Sequence, residues 1–298
     1  MSNRSLKKNV FLAGLCFLLS LQTVNAADKF ASEAPERLVE YLRINTANPP
    51  GNESRGVAFF AKYLTAAGIE FQTGESAPGR GNIWAKIPGG SKPGIVLINH
   101  IDVVPANENY WTVDPYKGVI KDGYIYGRGA LDMKGLGITQ FQAFLSLAAS
   151  GKALNRDVWF IATADEEAGG QYGAGWLVEN HPEIFENVGF LLNEGGSGSR
   201  VGDKIGFTVE VTQKIPLWLR LTATGRPGHG SSPQVHTSVT RLFKAGHRIT
   251  TTNFKPRVIK PVARMFADLA ESQPDGFQKQ YANIAQYILD TEFMLALQ

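Results

Sequence analysis

The stretch VWFIATADEEAGG, Val158–Gly170, opens on five apolar residues and, after Thr163 and Ala164, carries three consecutive acids, Asp165, Glu166 and Glu167. A short apolar run bounded by polar residues and glycines is the pattern of a strand covered on both faces, which is what a parallel sheet flanked by helices requires. Two further runs follow the same plan. IVLINHID, Ile95–Asp102, ends on His100 and Asp102, and VGFLLNEGG, Val188–Gly196, ends on Glu194. In open α/β sheets, ligands collect at the carboxyl ends of the strands, because the loops there project side chains into one crevice.

Working outward, strand-like and helix-like segments alternate. EAPERLVEYL after Ser32 reads as a helix with Pro35 in its first turn. NTANPPGNE breaks it, and a second amphipathic segment groups Val57, Phe60 and Leu64 and stops at Gly68. Asn82–Ile87 and Ile95–Asn99 read as strands, GVIKDGYIYG as a hairpin about Asp122-Gly123, and KGLGITQFQAFLSLAAS as a helix. The expected fold is therefore α/β, with a mixed, largely parallel sheet flanked by helices. The texture changes near Lys214: IPLWLRLTATG alternates as an antiparallel strand would, GRPGHGSSP is a loop, and Val239–Arg248 is helical in pattern. A second, smaller α+β domain is expected from there.

Composition bounds the classes. Of the 298 residues 43% are apolar and 19% charged, which excludes a disordered or collagen-like chain. Arg4, Lys7 and Lys8 precede the apolar run VFLAGLCFLLSL and the small-residue stretch VNAA, the order of a secretory signal cleaved near Ala26. Export to the periplasm or medium is expected, with no membrane anchor after cleavage. Loss of those three cations takes the formal net charge from +3 to zero, and no basic patch is left to bind nucleic acid. Cys16, the only cysteine, lies in the signal, so a metal site in the mature chain must use His, Asp or Glu.

Any single strand-end carboxylate is most simply a helix cap or a solvated charge. The set is different. Asp132, in the glycine-rich YGRGALDMKG, adds a fourth element to His100, Glu166, Glu167 and Glu194. Several carboxylates converging on one histidine repel one another unless a cation neutralises them, which points to a divalent metal. Asp102, two residues beyond His100, is placed to orient the ring. On extended backbone Glu166 and Glu167 point in opposite directions, so one can bind metal while the other faces water.

NHIDVVP, WTVDPYKGVIKDGYIYGRGALDMKG, ATADEEAGG with YGAGWL, NEGG and GRPGHGSSP together resemble the di-zinc metallopeptidase family of aminoacylase, glutamate carboxypeptidase, carboxypeptidase S, acetylornithine deacetylase and succinyl-diaminopimelate desuccinylase. The resemblance runs from about Ser32 to about Ala245. It implies a catalytic domain over 27–213, after the 1–26 signal, and a lid or dimerisation domain over 214–298. It implies that His100, Asp132 and Glu194 hold one zinc, that Asp132 bridges to a second zinc held by Glu167, that Glu166 is the general base and that Asp102 orients His100. It makes His229 a substrate contact from the lid, and a homodimer through the lid is the implied assembly. The implied reaction is hydrolysis of an amide bond in a small peptide or N-acyl amino acid. In the family, a histidine that follows the lid completes the second zinc site. No histidine follows His247 here, so the resemblance also implies a truncated chain with that site short of one ligand. The competing expectation is an inactive family member that binds metal or a partner. A solute-binding protein fits export but does not explain Glu166 beside Glu167.

Overall fold

The computed structural model describes residues 26–297 apart from 202, 203, 211, 214–216 and 233. The export signal expected over 1–26 lies, but for Ala26, outside the described residues. The chain divides into two compact units, one up to Glu194 and one from Gly195. The lid boundary expected at 214 falls inside the second.

The first unit begins with α1 (Ala26–Leu42) and α2 (Ser54–Ala66), followed by β1 (Phe71–Glu75), β2 (Gly81–Ile87) and β3 (Lys92–His100). The hairpin β4 (Val119–Lys121) and β5 (Tyr124–Tyr126) leads to α3 (Lys134–Ala149), β6 (Arg156–Thr163), α4 (Ala174–Asn180) and β7 (Val188–Leu192). Helix α1 starts earlier than its sequence suggested, and Pro35 lies inside it. A proline there withholds one N–H from the ladder. The apolar stripe Phe30, Ala34, Leu38 and Tyr41, at helical spacing, packs on the core and carries the helix through. The hairpin turn falls where expected, with Asp122 and Gly123 both at positive φ, 52° and 80°.

Five strands form one sheet in the order β1-β2-β6-β3-β7. β1, β2 and β6 pair antiparallel, whereas β3 runs parallel to both β6 and β7. β1, an edge strand of mixed polarity, gave no signal in the sequence. One face of the sheet packs Phe160 and Ala162 against Tyr41, Phe60, Phe141 and Phe144 of the three long helices. The other packs Ile161 and Val96 against Leu177 of α4. The alternation of Phe160, Ile161 and Ala162 between faces is the period-two rule of a strand covered on both sides. Phe60 is fully buried and meets the Tyr41, Phe59, Phe141 and Phe160 rings at centroid distances of 5.0–5.2 Å. Truncating such a side chain costs about 3–5 kcal/mol.

The second unit contains the hairpin β8 (Gly198–Val201) and β9 (Lys204–Phe207), then α5 (Ser238–Thr250) and α6 (Lys260–Leu269), with short helical turns beyond. Helix α5 confirms the helical pattern, capped by the Thr237 and Thr240 hydroxyls in a reciprocal box. The strand expected over IPLWLRLTATG is not formed among its described residues, 217–225. Leu217, Trp218 and Leu219 are exposed there, with no neighbouring strand among the described residues to pair an alternating face against.

Candidate metal centre

Because β6, β3 and β7 are adjacent and parallel, their carboxyl ends lie side by side. The middle strand ends on His100, β6 runs on into Asp165–Glu167 on one flank, and β7 into Glu194 on the other. The carboxylates around His100 Nε2 are Asp132 Oδ1 at 3.1 Å, Glu194 Oε1 at 3.6 Å and Glu166 Oε2 at 3.8 Å. Two triads have ligand atoms all within 4.8 Å of one another: His100, Glu166 and Glu194, and His100, Asp132 and Glu167. The five residues expected at the centre are thus brought together, and His100 belongs to both triads.

His100 is buried at 2% exposure, while Asp132 remains 65% exposed, so the centre is rooted in the sheet and open on the Asp132 side. A cavity of about 60 Å³ lined by His100, Thr163, Glu166 and Asn193 adjoins the ring, room for water rather than for a substrate. Asp132 is aimed by its glycine-rich loop. Gly129 sits at φ 86°, a conformation other residues resist, and a Cβ there would meet Val103 at 2.6 Å. Just past it, the buried Lys134 donates to the carbonyls of Tyr41 (3.2 Å) and Ile44 (2.7 Å), tying the loop to the end of α1.

Asp102 meets both the His100 ring and the turn that carries the two glutamates. His100 Nδ1 is held at 2.8 Å by the Asp102 backbone carbonyl, and the Asp102 carboxylate stands farther off, at 3.5 Å. That carboxylate instead accepts the Glu166 and Glu167 N–H groups, at 3.0 and 3.2 Å, and the Asn48 amide at 2.8 Å. A short side chain two residues along a strand reaches the neighbouring strand's turn more readily than it doubles back to the ring. The two glutamates are also not on extended backbone: Glu166–Ala168 is a single 3₁₀ turn entered through Asp165 at φ 70°. The turn puts one glutamate in each triad, whereas strand alternation had been expected to set one on the metal and the other toward water.

The charges respond to this crowding. Burial works against a charged His100, but the Asp102 and Glu194 carboxylates overcome it and raise the ring to about 11. The facing ring holds Glu194 below the usual carboxylate range. Glu166 and Glu167 are pushed up, by burial first and then by neighbouring carboxylates. One nitrogen and four carboxylate donors, partly desolvated and mutually repelling, fit a divalent cation that takes imidazole and carboxylate ligands together. His229, in the second unit, is exposed and shares a 2.8 Å hydrogen bond with Ser231 Oγ through Nδ1.

Several residues of the site were not read from the sequence: Asn48, Glu53, Arg80 and Lys134, all buried beneath the centre. Asn48 and Glu53 sit in NTANPPGNE, which reads only as a helix breaker, and Arg80 in a glycine-flanked turn. Buried ionisable groups are rare, but a sequence does not mark which ionisable groups are buried.

The model of peptidase family M20/M25/M40 matches residues 96–295, and the chain belongs to that family. It is 36% identical over 214 residues to aminoacylase-1B of Rattus norvegicus, covering 70% of this chain and 51% of that protein. It is also 36% identical over 159 residues to an N-fatty-acyl-amino acid synthase/hydrolase of Xenopus tropicalis, covering 52% and 31%. Human carnosine dipeptidase 1, among solved structures, aligns with a TM-score of 0.48 at 25% identity over 56% of this chain and 40% of that one. The chain spans about half the length of the curated relatives it matches.

Proposed function

We propose that the protein is a zinc-dependent hydrolase of the amide bond in a small peptide or N-acyl amino acid. The observation that carries this reading is the convergence of Asp132, Glu166, Glu167 and Glu194 on one buried histidine at the carboxyl ends of three adjacent parallel strands. The relatives named as aminoacylases and as an N-fatty-acyl-amino acid synthase/hydrolase support the substrate class.

His100, Asp132, Glu167 and Glu194 would hold zinc, which supplies Lewis-acid polarisation of an amide carbonyl and a more acidic water. Glu166 is the general base: it takes the proton of the attacking water and returns it to the departing amine, so one carboxylate serves both steps. Asp102 holds the Glu166 and Glu167 N–H groups, fixing where the base stands. His229 is assigned to the oxyanion formed from the carbonyl, and the second unit to the lid through which two copies pair. The signal-like order of residues 1–26 supports export of the enzyme to the periplasm or medium.

The test is hydrolysis of an N-acetyl amino acid and dipeptide panel, with and without chelator, beside a zinc count on the purified chain. About two zinc per chain with chelator-sensitive turnover, abolished in Glu166→Ala with zinc retained, is the expected result. Turnover that survives Glu166→Ala overturns the assignment of the base. A second reading, a family member that binds metal without turnover, is favoured by one observation: both triads draw on the single His100. Zinc near one per chain and no turnover on any substrate decides for it.

A further inference from the structure

Asp165, the first of the three consecutive acids, belongs to neither triad, yet it is 3% exposed and sits in the left-handed region at φ 70°, ψ 12°. A non-glycine residue held there costs on the order of 1–3 kcal/mol and persists only where its surroundings over-determine it. The surroundings are a buried ionic cluster. Arg80 Nη2 lies 2.6 Å from Asp165 Oδ1 and 2.8 Å from Glu53 Oε1. Its Nη1 donates to Asn48 Oδ1 at 3.3 Å and to the Pro50 carbonyl at 3.2 Å. Asp165 accepts the Tyr172 N–H on its other oxygen, at 3.1 Å, and the Tyr172 ring lies under the Arg80 guanidinium at 5.3 Å. The Asp165 carbonyl closes the turn by accepting from Ala168 and Gly170.

Besides Asp165 itself, which opens the glutamate turn, Asn48 links the cluster to the metal centre. The Asn48 amide, its oxygen facing Arg80, donates to both Asp165 Oδ1 (3.3 Å) and Asp102 Oδ2 (2.8 Å). Asp102 in turn holds the Glu166 and Glu167 N–H groups. We propose that Arg80 is a positioning residue for the metal centre: acting through Asp165 and Asn48, it fixes the turn that presents Glu166 and Glu167 to His100. This rests on the reading of the centre as a zinc site. A planar fork meeting two carboxylates, an amide and a carbonyl is a geometry lysine cannot reproduce, so Arg80→Lys does not replace it.

Two readouts test the proposal. Zinc affinity, by competition with a chromophoric chelator, is expected to fall about 10- to 100-fold in Arg80→Met, the range for residues that orient ligands from behind, and by an intermediate amount in Arg80→Lys. Asp165→Asn gives a loss of similar size. The double variant Arg80→Met/Asp165→Asn loses no more than about twofold beyond the worse single, because both act through one path. Phe144→Leu, a core change on α3, destabilises the fold and leaves zinc affinity unchanged. Amide exchange at Glu166 and Glu167, followed by NMR with chelator present, is expected to speed up about tenfold in Arg80→Met and in Arg80→Lys, while β3 and β6 amides hold their rates. An Arg80→Met affinity within twofold of the parent, multiplicative losses in the double variant, or an equal loss in Phe144→Leu overturns the proposal. A parent chain that binds no zinc overturns the metal reading; the exchange rates alone then decide whether Arg80 positions the turn. Should Arg80→Met not fold, Arg80→Lys and Asp165→Asn carry both measurements.

Discussion

The two turns that bring carboxylates to His100 are built in opposite ways. The turn after β6 rests on buried charge: Arg80, Glu53 and Asp165 beneath it, and Asp102 beside it, each engaged by at least one partner within 3.3 Å. The turn that ends at Asp132 relies on backbone freedom at Gly129 and on one lysine, Lys134, which is tied to backbone carbonyls and to no carboxylate. The first turn carries two glutamates whose separation matters to a proton transfer, and it is locked. The second carries one aspartate that stays 65% exposed and reaches in from an open side. Rigidity in this site is allotted according to how many functional groups a turn has to place.

The sharpest way to test the shared centre is His100→Ala, which removes the donor common to both triads. Zinc affinity is expected to fall on the order of a thousandfold, roughly a quarter of the binding free energy of a four-ligand site, as read by chelator competition. If one triad kept its affinity, the two turns would be serving separate centres. Next in size is the pH response of the locked turn. Burial raises Glu53 to about 7 from its ordinary 4.5. Its folded form therefore keeps the proton that the unfolded chain has lost. Stability on this account is greatest below pH 4.5 and declines as pH rises through about 7, by roughly 3 kcal/mol in all. Glu53→Gln should flatten that decline in urea melts taken between pH 5 and 7.5, and an unchanged slope would remove Glu53 from the account.

The open turn should respond in the other direction. Burial lowers Lys134 to about 7, so above that pH the folded chain sheds a proton that the unfolded chain holds up to about 10.5. Its contribution to stability rises with pH across that interval. Lys134→Met should abolish the rise in urea melts taken between pH 7 and 10.5 and, by leaving two carbonyls without a donor, cost about 2 kcal/mol at pH 7. Smallest is the proton released on metal binding. His100, raised to about 11, must lose a proton before Nε2 can coordinate. Zinc affinity is therefore expected to climb about tenfold per pH unit between pH 6 and 8, measured in buffers of different ionisation enthalpy. A pH-independent affinity would mean that His100 is not a ligand.

Much of this was legible in the sequence because it rested on strands. Ile95–Asn99, Val158–Thr163 and Val188–Leu192 are apolar runs that end on chemistry, and the parallel pairing they imply puts His100, Glu166, Glu167 and Glu194 at one end of the sheet. The residues behind the site were illegible for a physical reason. Asn48, Glu53 and Arg80 act through contacts with residues 27 to 117 positions away in sequence, and none belongs to a periodic pattern. The Asp102 assignment shows the limit well: the carboxylate was rightly placed at the centre, and its partners were set by a turn whose shape depends on one positive φ at Asp165. The strand expected at IPLWLRLTATG marks the converse case, where alternation is present and no neighbouring strand meets it.

Among the described residues, strand β7 lies at the end of the sheet, paired on one side only, and Phe190, Leu191 and Leu192 are each about half exposed or more. It is also the strand that delivers Glu194 to His100. Any cation gripped by that glutamate and by the histidine of β3 is consequently a clip across two neighbouring strands, fastening the least supported one to the middle of the sheet. Ion binding then becomes protection against fraying and proteolysis at this edge, growing with the logarithm of free ion once the dissociation constant is exceeded. Chelation would expose first the segment from Val188 to Glu194, long before the aromatic core around Phe60 gives way.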